Sequence, residues 1–349
     1  MKISIGILAY NEASKIEQTL ASLFRQTLFQ PVHPQKFNID WIQIVVVPNG
    51  CSDATEQIAH SFFEQLETNL MVPIAYEVRA IAQAGKSNAW NSYIHDFSDQ
   101  DAKYLFLMDA DIQLVQAETM SLMLSTLETT PEAWVATDTP VKDVALKQQK
   151  NYLEKLSLQA SSTGDGRICG QLYCGRSAVL RKIWMPVGLS VEDGFLNAML
   201  TTNYFTCPTI PTRVKCTENA YHIFEAYTSI PALLRHERRI VIGSIFNFWL
   251  FEDLWSICHP QADAASVLEQ RYQTNPLWFK AFLEDRVAAR GWVVIPSSML
   301  FRRFKQLQQH TLKSKFVRLP FSVVAFMADF VVFTQANFEI KFRSRFGYW

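Results

Sequence analysis

The chain has 349 residues, enough for one large domain or two ordinary ones, and 49% of them are hydrophobic, which supports a full core. Lys and Arg match Asp and Glu at 33 each, so the chain lacks the overall basic excess of a nucleic-acid binder, and no nucleic-acid partner is expected. Six scattered cysteines with no Cys-x-x-Cys, and a start that enters a strand without a secretory signal, predict a reduced, cytoplasmic protein.

The first 140 residues alternate between strand and helix signals. Ile3 to Ala9 reads as a strand, and Ala13 to Thr27 as a helix with apolar residues at Ile16, Leu20, Leu23 and Phe24. Trp41 to Val47 is a second apolar strand, ended by Pro48-Asn49-Gly50, and Asp53 is a plausible N-cap for a helix running to Leu66. Ile74 to Val78, Lys86 to Phe97, Tyr104 to Met108 and Glu118 to Leu127 continue the alternation as strand, helix, strand and helix, and Trp134 opens another strand. This order predicts an α/β fold: a doubly wound, mostly parallel sheet with helices on both faces. Ligands of such sheets bind at the carboxyl ends of the strands, where Tyr10-Asn11-Glu12, Asn49-Gly50, Arg79 and Asp109-Ala110-Asp111 fall. Beyond Lys142 the pattern changes. A helix is expected over Val144 to Ser161, a turn at Gly164-Asp165-Gly166, a strand near Leu172-Tyr173, a helix over Glu192 to Leu200, paired strands over Arg213 to Phe224, and long aromatic-rich helices after Pro231. The expected division is a catalytic domain over 1–230, with a nucleotide-binding half (1–140) and an acceptor half (141–230), followed by a helical region over 231–349.

Asp109 and Asp111 close a buried strand, so both carboxylates can turn to one side and share a hard cation such as Mg²⁺ or Mn²⁺, whose shell substrate phosphates would complete. Asp-x-Asp alone is a weak signal, and the chain contains a decoy in Asp99-Gln100-Asp101, expected to be merely solvated. Gly85-Lys86-Ser87 invites a phosphate-loop reading. The motif requires glycine at position 80, which is Ala80, but a lysine at a helix start can still meet a phosphate.

Taken in order, these segments resemble a family 2 glycosyltransferase with the GT-A fold. Ile7 to Glu12 is similar to the family's opening strand with Tyr-Asn-Glu, and Asn49 to Thr55 to its Asp-Gly-Ser-Thr-Asp-x-Thr turn. Gly85 to Asn91 resembles the Gly-Lys-x-x-Ala-Leu-Asn helix start, and Asp109-Ala110-Asp111 the metal motif. Gly170 to Arg176 resembles the strand that faces the sugar, and Glu192-Asp193 the Glu-Asp motif that carries the base. The resemblance implies an inverting transferase using a nucleotide sugar, with uridine favoured although Asn49 stands where an aspartate usually reads the base. It places Ala9, Tyr10, Asn11, Glu12, Asn49, Lys86, Asp109, Ala110 and Arg176 around the donor. Asp111 becomes the principal metal ligand, with Asp109 nearer the ribose or a metal-bound water. Asp193 becomes the base, with Glu192 orienting it. In some relatives a histidine at the position of His222 completes the metal shell; the plainer reading is a core histidine. Processive members carry Gln-x-x-Arg-Trp, whereas this chain has Arg235-His236-Glu237-Arg238-Arg239, which implies transfer of a single sugar. Arg238 and Arg239 could pair with the leaving diphosphate or be ordinary surface charges. The rival readings are a nucleotidyltransferase and an idle nucleotide-sugar or membrane scaffold.

The end of the chain differs in charge. From Arg286 to Trp349 there are 11 basic residues and two acids, Asp329 and Glu339, against 22 basic and 31 acidic residues in the remainder. Leu319 to Phe333 is apolar but shorter than a bilayer span of roughly 20 residues, and Phe338 to Trp349 interleaves cations with aromatics. The expected partner is an anionic membrane surface, with the protein peripheral on its cytoplasmic face and the acceptor a saccharide or lipid-linked saccharide. Packing on the catalytic domain or on a second subunit is the alternative.

Overall fold

The computed structural model describes residues 1–30, 37–66, 72–147, 167–259, 261–301 and 312–343. Seven strands form one sheet: β1 (Lys2–Ala9), β2 (Trp41–Pro48), β3 (Ile74–Val78), β4 (Tyr104–Asp109), β5 (Val135–Lys142), β6 (Leu172–Arg176) and β7 (Val214–Phe224). Their spatial order is β3-β2-β1-β4-β6-β5-β7. β1 lies parallel to both β2 and β4, and β3 continues the parallel half. β6 runs antiparallel to β4 and β5, which returns β5 and β7 to the direction of β1.

The helices are α1 (Ile16–Phe24), α2 (Thr55–Glu64), α3 (Lys86–Asn91, continued by a π-turn over Ser92–Phe97), α4 (Thr119–Thr129), α5 (Ser177–Leu180), α6 (Glu192–Thr201), α7 (Ile230–Ile257), α8 (Ala264–Thr274), α9 (Trp278–Ala288), α10 (Ser297–Leu300) and α11 (Leu312–Phe338). Alternate residues of each strand feed opposite faces, as the pleat requires. Ile3, Ile5, Ile7, Ile44 and Phe106 pack with α1, α2 and α4. Leu8, Val45, Val47, Leu105 and Leu107 pack with α3, α6 and α7. The second cluster continues without a break through α8 and α9 to Val332, Ala336 and Ile340, so the helices after residue 230 share one core with the sheet. α7 is long and apolar enough to cross a membrane by length and composition, but 44% of its apolar window is buried inside the protein.

Several elements differ from expectation. Arg213 to Phe224 is one strand, not a pair. Thr137 pairs with Cys216 but Thr139 with Tyr221, so β7 bulges, with Asn219 in the left-handed region at φ 60°. That polar interruption mimics a hairpin turn in the sequence. Asp53 stands one residue before the N-cap, which is Ala54 and not Asp53 as expected; its Oδ1 accepts from the Thr55 N–H at 3.1 Å, and its Oδ2 accepts from the Ala13 N–H and ties α2 to the segment before α1. The expected helix over Val144 to Ser161 and the turn at Gly164-Asp165-Gly166 fall largely or wholly outside the described residues, and Asp143–Leu146 is a short 3₁₀ turn.

α7 fixes the start of α6, the helix that opens with Glu192-Asp193. Asn247 donates its side-chain N–H to the Val191 carbonyl at 2.8 Å. Gly243 lies so close that a Cβ there would stand 2.3 Å from Cγ2 of Val191 and 3.1 Å from its backbone nitrogen. Gly243→Ala is expected to destabilise the fold by about 1–3 kcal/mol through overpacking, read as a lower urea midpoint. An unchanged midpoint would show that this contact gives way freely.

Candidate active site

The carboxyl ends of β1, β4, β5 and β7 open on a cavity of about 990 Å³, at the upper end of small-molecule site volumes. Tyr10, Glu12, Lys86, Asp109, Ala110, Asp111, Glu192, Asp193 and Arg238 line it, together with Lys15, Gly170, Arg239, Glu339 and Ile340. The antiparallel strand β6 explains part of this gathering. Its leading turn arrives beside the end of β4, where the Asp109 N–H donates to the Gln171 carbonyl at 2.8 Å. Thr19, buried in α1, donates its hydroxyl to the Ala110 carbonyl at 2.8 Å and sets the Asp109–Asp111 turn.

Lys86 is the centre of the charge arrangement. Its ammonium Nζ lies 2.7 Å from Oδ1 of Asp109 as an ion pair, donates to Oδ2 at 2.8 Å, and lies 3.0 Å from Oε1 of Glu192. It also donates to the Gly170 carbonyl at 3.0 Å. A Cβ at position 170 would stand 2.8 Å from Glu192 Oε1, so a side chain there would displace the Glu192 carboxylate. Burial opposes the charge on Lys86, but Asp109 and Glu192 outweigh it and hold the ammonium firmly protonated. Burial pushes Asp109 up to about 6 against the pull of Lys86, with Asp111 adding to the rise. Glu12 is pushed up to about 7, first by burial and then by Asp111. Asp193 is raised by burial and by Glu192, while Lys86 and Arg239 oppose the rise.

Five expected donor-site or metal residues lie elsewhere or are already engaged. Asn49 is fully buried: its Nδ2 donates to the Ala9 carbonyl at 2.7 Å and its Oδ1 accepts from the Gly85 N–H at 3.0 Å. It joins β1 to the start of α3 and does not present an edge to a base, and Ala9 is buried beneath it. Asn11, in the left-handed region at φ 55°, accepts from the Ser52 N–H at 2.8 Å and shapes the turn outside the cavity lining. Arg176 sits at the opposite end of the sheet, opposite Tyr104, because β6 runs antiparallel. It donates to the carbonyls of Ala133 and Leu127 and closes the far side of the core. His222 is buried with Nδ1 2.8 Å from Oδ2 of Asp138 and Nε2 3.3 Å from Oε1 of Gln171, so both ring nitrogens are committed to protein partners. Arg238 does line the cavity, held by Glu339 at 3.0 Å. The decoy acids Asp99 and Asp101 lie 3.5 and 2.9 Å from Lys2, away from the cavity lining.

A family model of glycosyl transferase family 2 matches residues 4–182, just over half of the chain. The chain belongs to that family. Family membership supports glycosyltransferase activity on nucleotide sugars over the nucleotidyltransferase reading. Its GT-A fold is shared with a mannosyltransferase of Pyrobaculum calidifontis solved with GDP-Man and Mn²⁺, at 16% identity and a TM-score of 0.51, covering 94% of this chain and 86% of that one. The first 349 residues of S. aureus TarS, solved with UDP, are similar at 16% identity and a TM-score of 0.44, covering 97% and 91%. Glucosyl-3-phosphoglycerate synthase from Mycobacterium tuberculosis is similar at 14% identity and a TM-score of 0.46, covering 70% and 77%. No curated protein matches the sequence.

Among the described residues, no three His, Cys, Asp or Glu converge into a preformed metal cage. The residues still fit a hard divalent cation of the Mg²⁺ type, which takes one or two carboxylates and fills its shell with water and phosphate. Asp111 faces the cavity without a side-chain hydrogen bond among the described contacts, and its negative charge and that of Glu12 repel each other. Asp111→Asn is expected to remove the Mn²⁺ dependence of UDP and GDP binding, measured by calorimetry with and without the ion. Equal Mn²⁺ enhancement in the variant would move the ligand role to another residue.

Proposed function

We propose that this glycosyltransferase moves a single sugar, with inversion, from a nucleoside diphosphate sugar to a hydroxyl of a saccharide or lipid-linked saccharide. The observation that carries the reading is the position of Asp193. It stands in the first turn of α6 and lines the same cavity as Asp109 and Asp111. An inverting transfer needs one base on the face of the sugar opposite the leaving group, and a carboxylate lifted from its ordinary range is better matched to that proton than a solvated one. Tyr10, Glu12 and Asp111 line the same cavity and are the groups this reading assigns to the donor. A bound Mg²⁺ or Mn²⁺ on Asp111 would stabilise negative charge on the departing diphosphate. Arg239, whose charge already reaches Asp193, lines the cavity as well. With Asn49 buried, base selection between uridine and guanosine rests on other groups of the pocket, so UDP- and GDP-linked sugars are the donors to compare, uridine being the first expectation.

Asp193→Asn is expected to leave nucleotide-sugar binding within a few-fold and to lower turnover by two orders of magnitude or more, the scale of a lost positioned base. Nucleotide release from a donor panel reads turnover and calorimetry reads binding. Near-normal turnover would assign the base to Glu192.

The same reading places the enzyme on the cytoplasmic face of an anionic membrane. One side of the C-terminal helix packs in the core through Val332, Ala336 and Ile340, while Met327, Phe330, Phe338 and Phe342 are exposed. Trp292, 81% exposed, stands 5.9 Å from the Phe342 ring. Such an aromatic platform suits the headgroup boundary; the sequence adds Arg302, Arg303, Lys305, Lys313, Lys315 and Arg318 with no acid between them, cations whose side chains lie outside those described. The full chain is expected to sediment with phosphatidylglycerol vesicles and to resist a 1 M salt wash, where the Debye length is about 3 Å. The triple variant Trp292→Ser, Phe338→Ser, Phe342→Ser should wash off. Full-length protein that stays in the supernatant would refute membrane attachment.

A further inference from the structure

Lys86 was expected to meet a donor phosphate, yet its contacts run elsewhere. The ammonium is buried against four protein oxygens from three places in the chain: two of Asp109 at the end of β4, one of Glu192 at the start of α6, and the Gly170 carbonyl ahead of β6. Asp109 belongs to the donor side of the cavity and Glu192 to the side that carries the base. No other described ion pair joins those two sides. Gly170 keeps the arrangement close, since a side chain there would push against the Glu192 carboxylate.

We infer that Lys86 is a positioning residue, a cationic clamp that holds the Glu192-Asp193 turn at a fixed distance from the donor carboxylates, and not a ligand of the donor phosphates. This rests on the reading of Asp193 as base. Without the cation, two buried carboxylates would face each other across the turn, and α6 would relax away from the strand ends. A shift of about 1 Å in a reacting group is enough to cost on the order of 100-fold in rate. Donor binding, in contrast, is carried by Tyr10, Glu12 and Asp111 and should survive.

The test uses the full-length protein and whichever UDP- or GDP-linked sugar the wild type turns over, read as nucleotide release, with UDP or GDP calorimetry in Mn²⁺ beside it. Lys86→Met should lower kcat by about 100-fold while nucleotide affinity and donor KM stay within about 3-fold. Lys86→Arg, which keeps the charge, should recover most of the turnover. The decisive measurement is a double-mutant cycle with Glu192→Gln: if Lys86 acts through Glu192, the double variant is little slower than the slower single variant. If Lys86→Met does not fold, the cycle is run with Lys86→Arg, which should then show a partial loss that Glu192→Gln absorbs. A fall of 10-fold or more in nucleotide affinity with kcat intact, or fully additive losses in the cycle, would overturn the inference and return Lys86 to the phosphates. A wild type that releases nucleotide from none of the sugars would instead refute the function on which the inference rests.

Discussion

Everything in this molecule depends on β1 being paired in parallel on both sides. Leu8 stands opposite Val47 in β2 and opposite Asp109 in β4, so three strands end at one level. Parallel strands cannot be joined by tight turns, so each must be followed by a helix that crosses back over the sheet. The loops that begin those crossings therefore share one rim. Tyr10-Glu12, the turn after β2 and Asp109–Asp111 meet there because of the ladder, not because of any attraction among them. The rim is rich in carboxylates, and its gathering is sustained by the apolar burial on the two faces below.

Charge at the rim is then unevenly balanced. Asp109 and Glu192 share one buried lysine, whereas Glu12 and Asp111 face the cavity with Lys15 as the nearby cation. The first pair is neutralised from within, so it is suited to hold geometry. The second set has only Lys15 opposing its charge, which fits a place where a cation and phosphates arrive together. A buried ion cluster is weak support for stability, since desolvation consumes much of the attraction. Its value here lies in linking segments that are distant in sequence.

The C-terminal helices have two duties. Their inner side completes the core begun by α3 and α6, and Glu339 and Ile340 reach the cavity itself. The Arg238–Glu339 ion pair couples α7 to this last segment at the cavity wall. The outer side leaves large aromatics in solvent, an arrangement that costs solubility unless a surface covers it. The same segment therefore joins the wall of the cavity to the exposed aromatic platform.

Strand–helix alternation, the continuous apolar runs and the placement of Asp109, Asp111, Glu192 and Asp193 were legible from the chain alone, because period and burial are local properties that a sequence records directly. The reversal of β6 was not. Nothing in Leu172 to Arg176 distinguishes an antiparallel from a parallel partner, and that reversal sends Arg176 to the far end while bringing Gly170 to the site. Asn49 and His222 show the same limit: a polar residue at a strand end reads as a ligand until its partners are known, and Ala9, Gly85, Asp138 and Gln171 are 36 to 84 residues away from them or separated by a full crossover. Glu339 carried no signal at all, since its role comes from packing against α7. Sequence determined which chemistry the chain holds and in what order along the strands. Tertiary structure decided which polar atoms remain available, because hydrogen-bond satisfaction in a buried site is settled by neighbours brought together from distant parts of the chain.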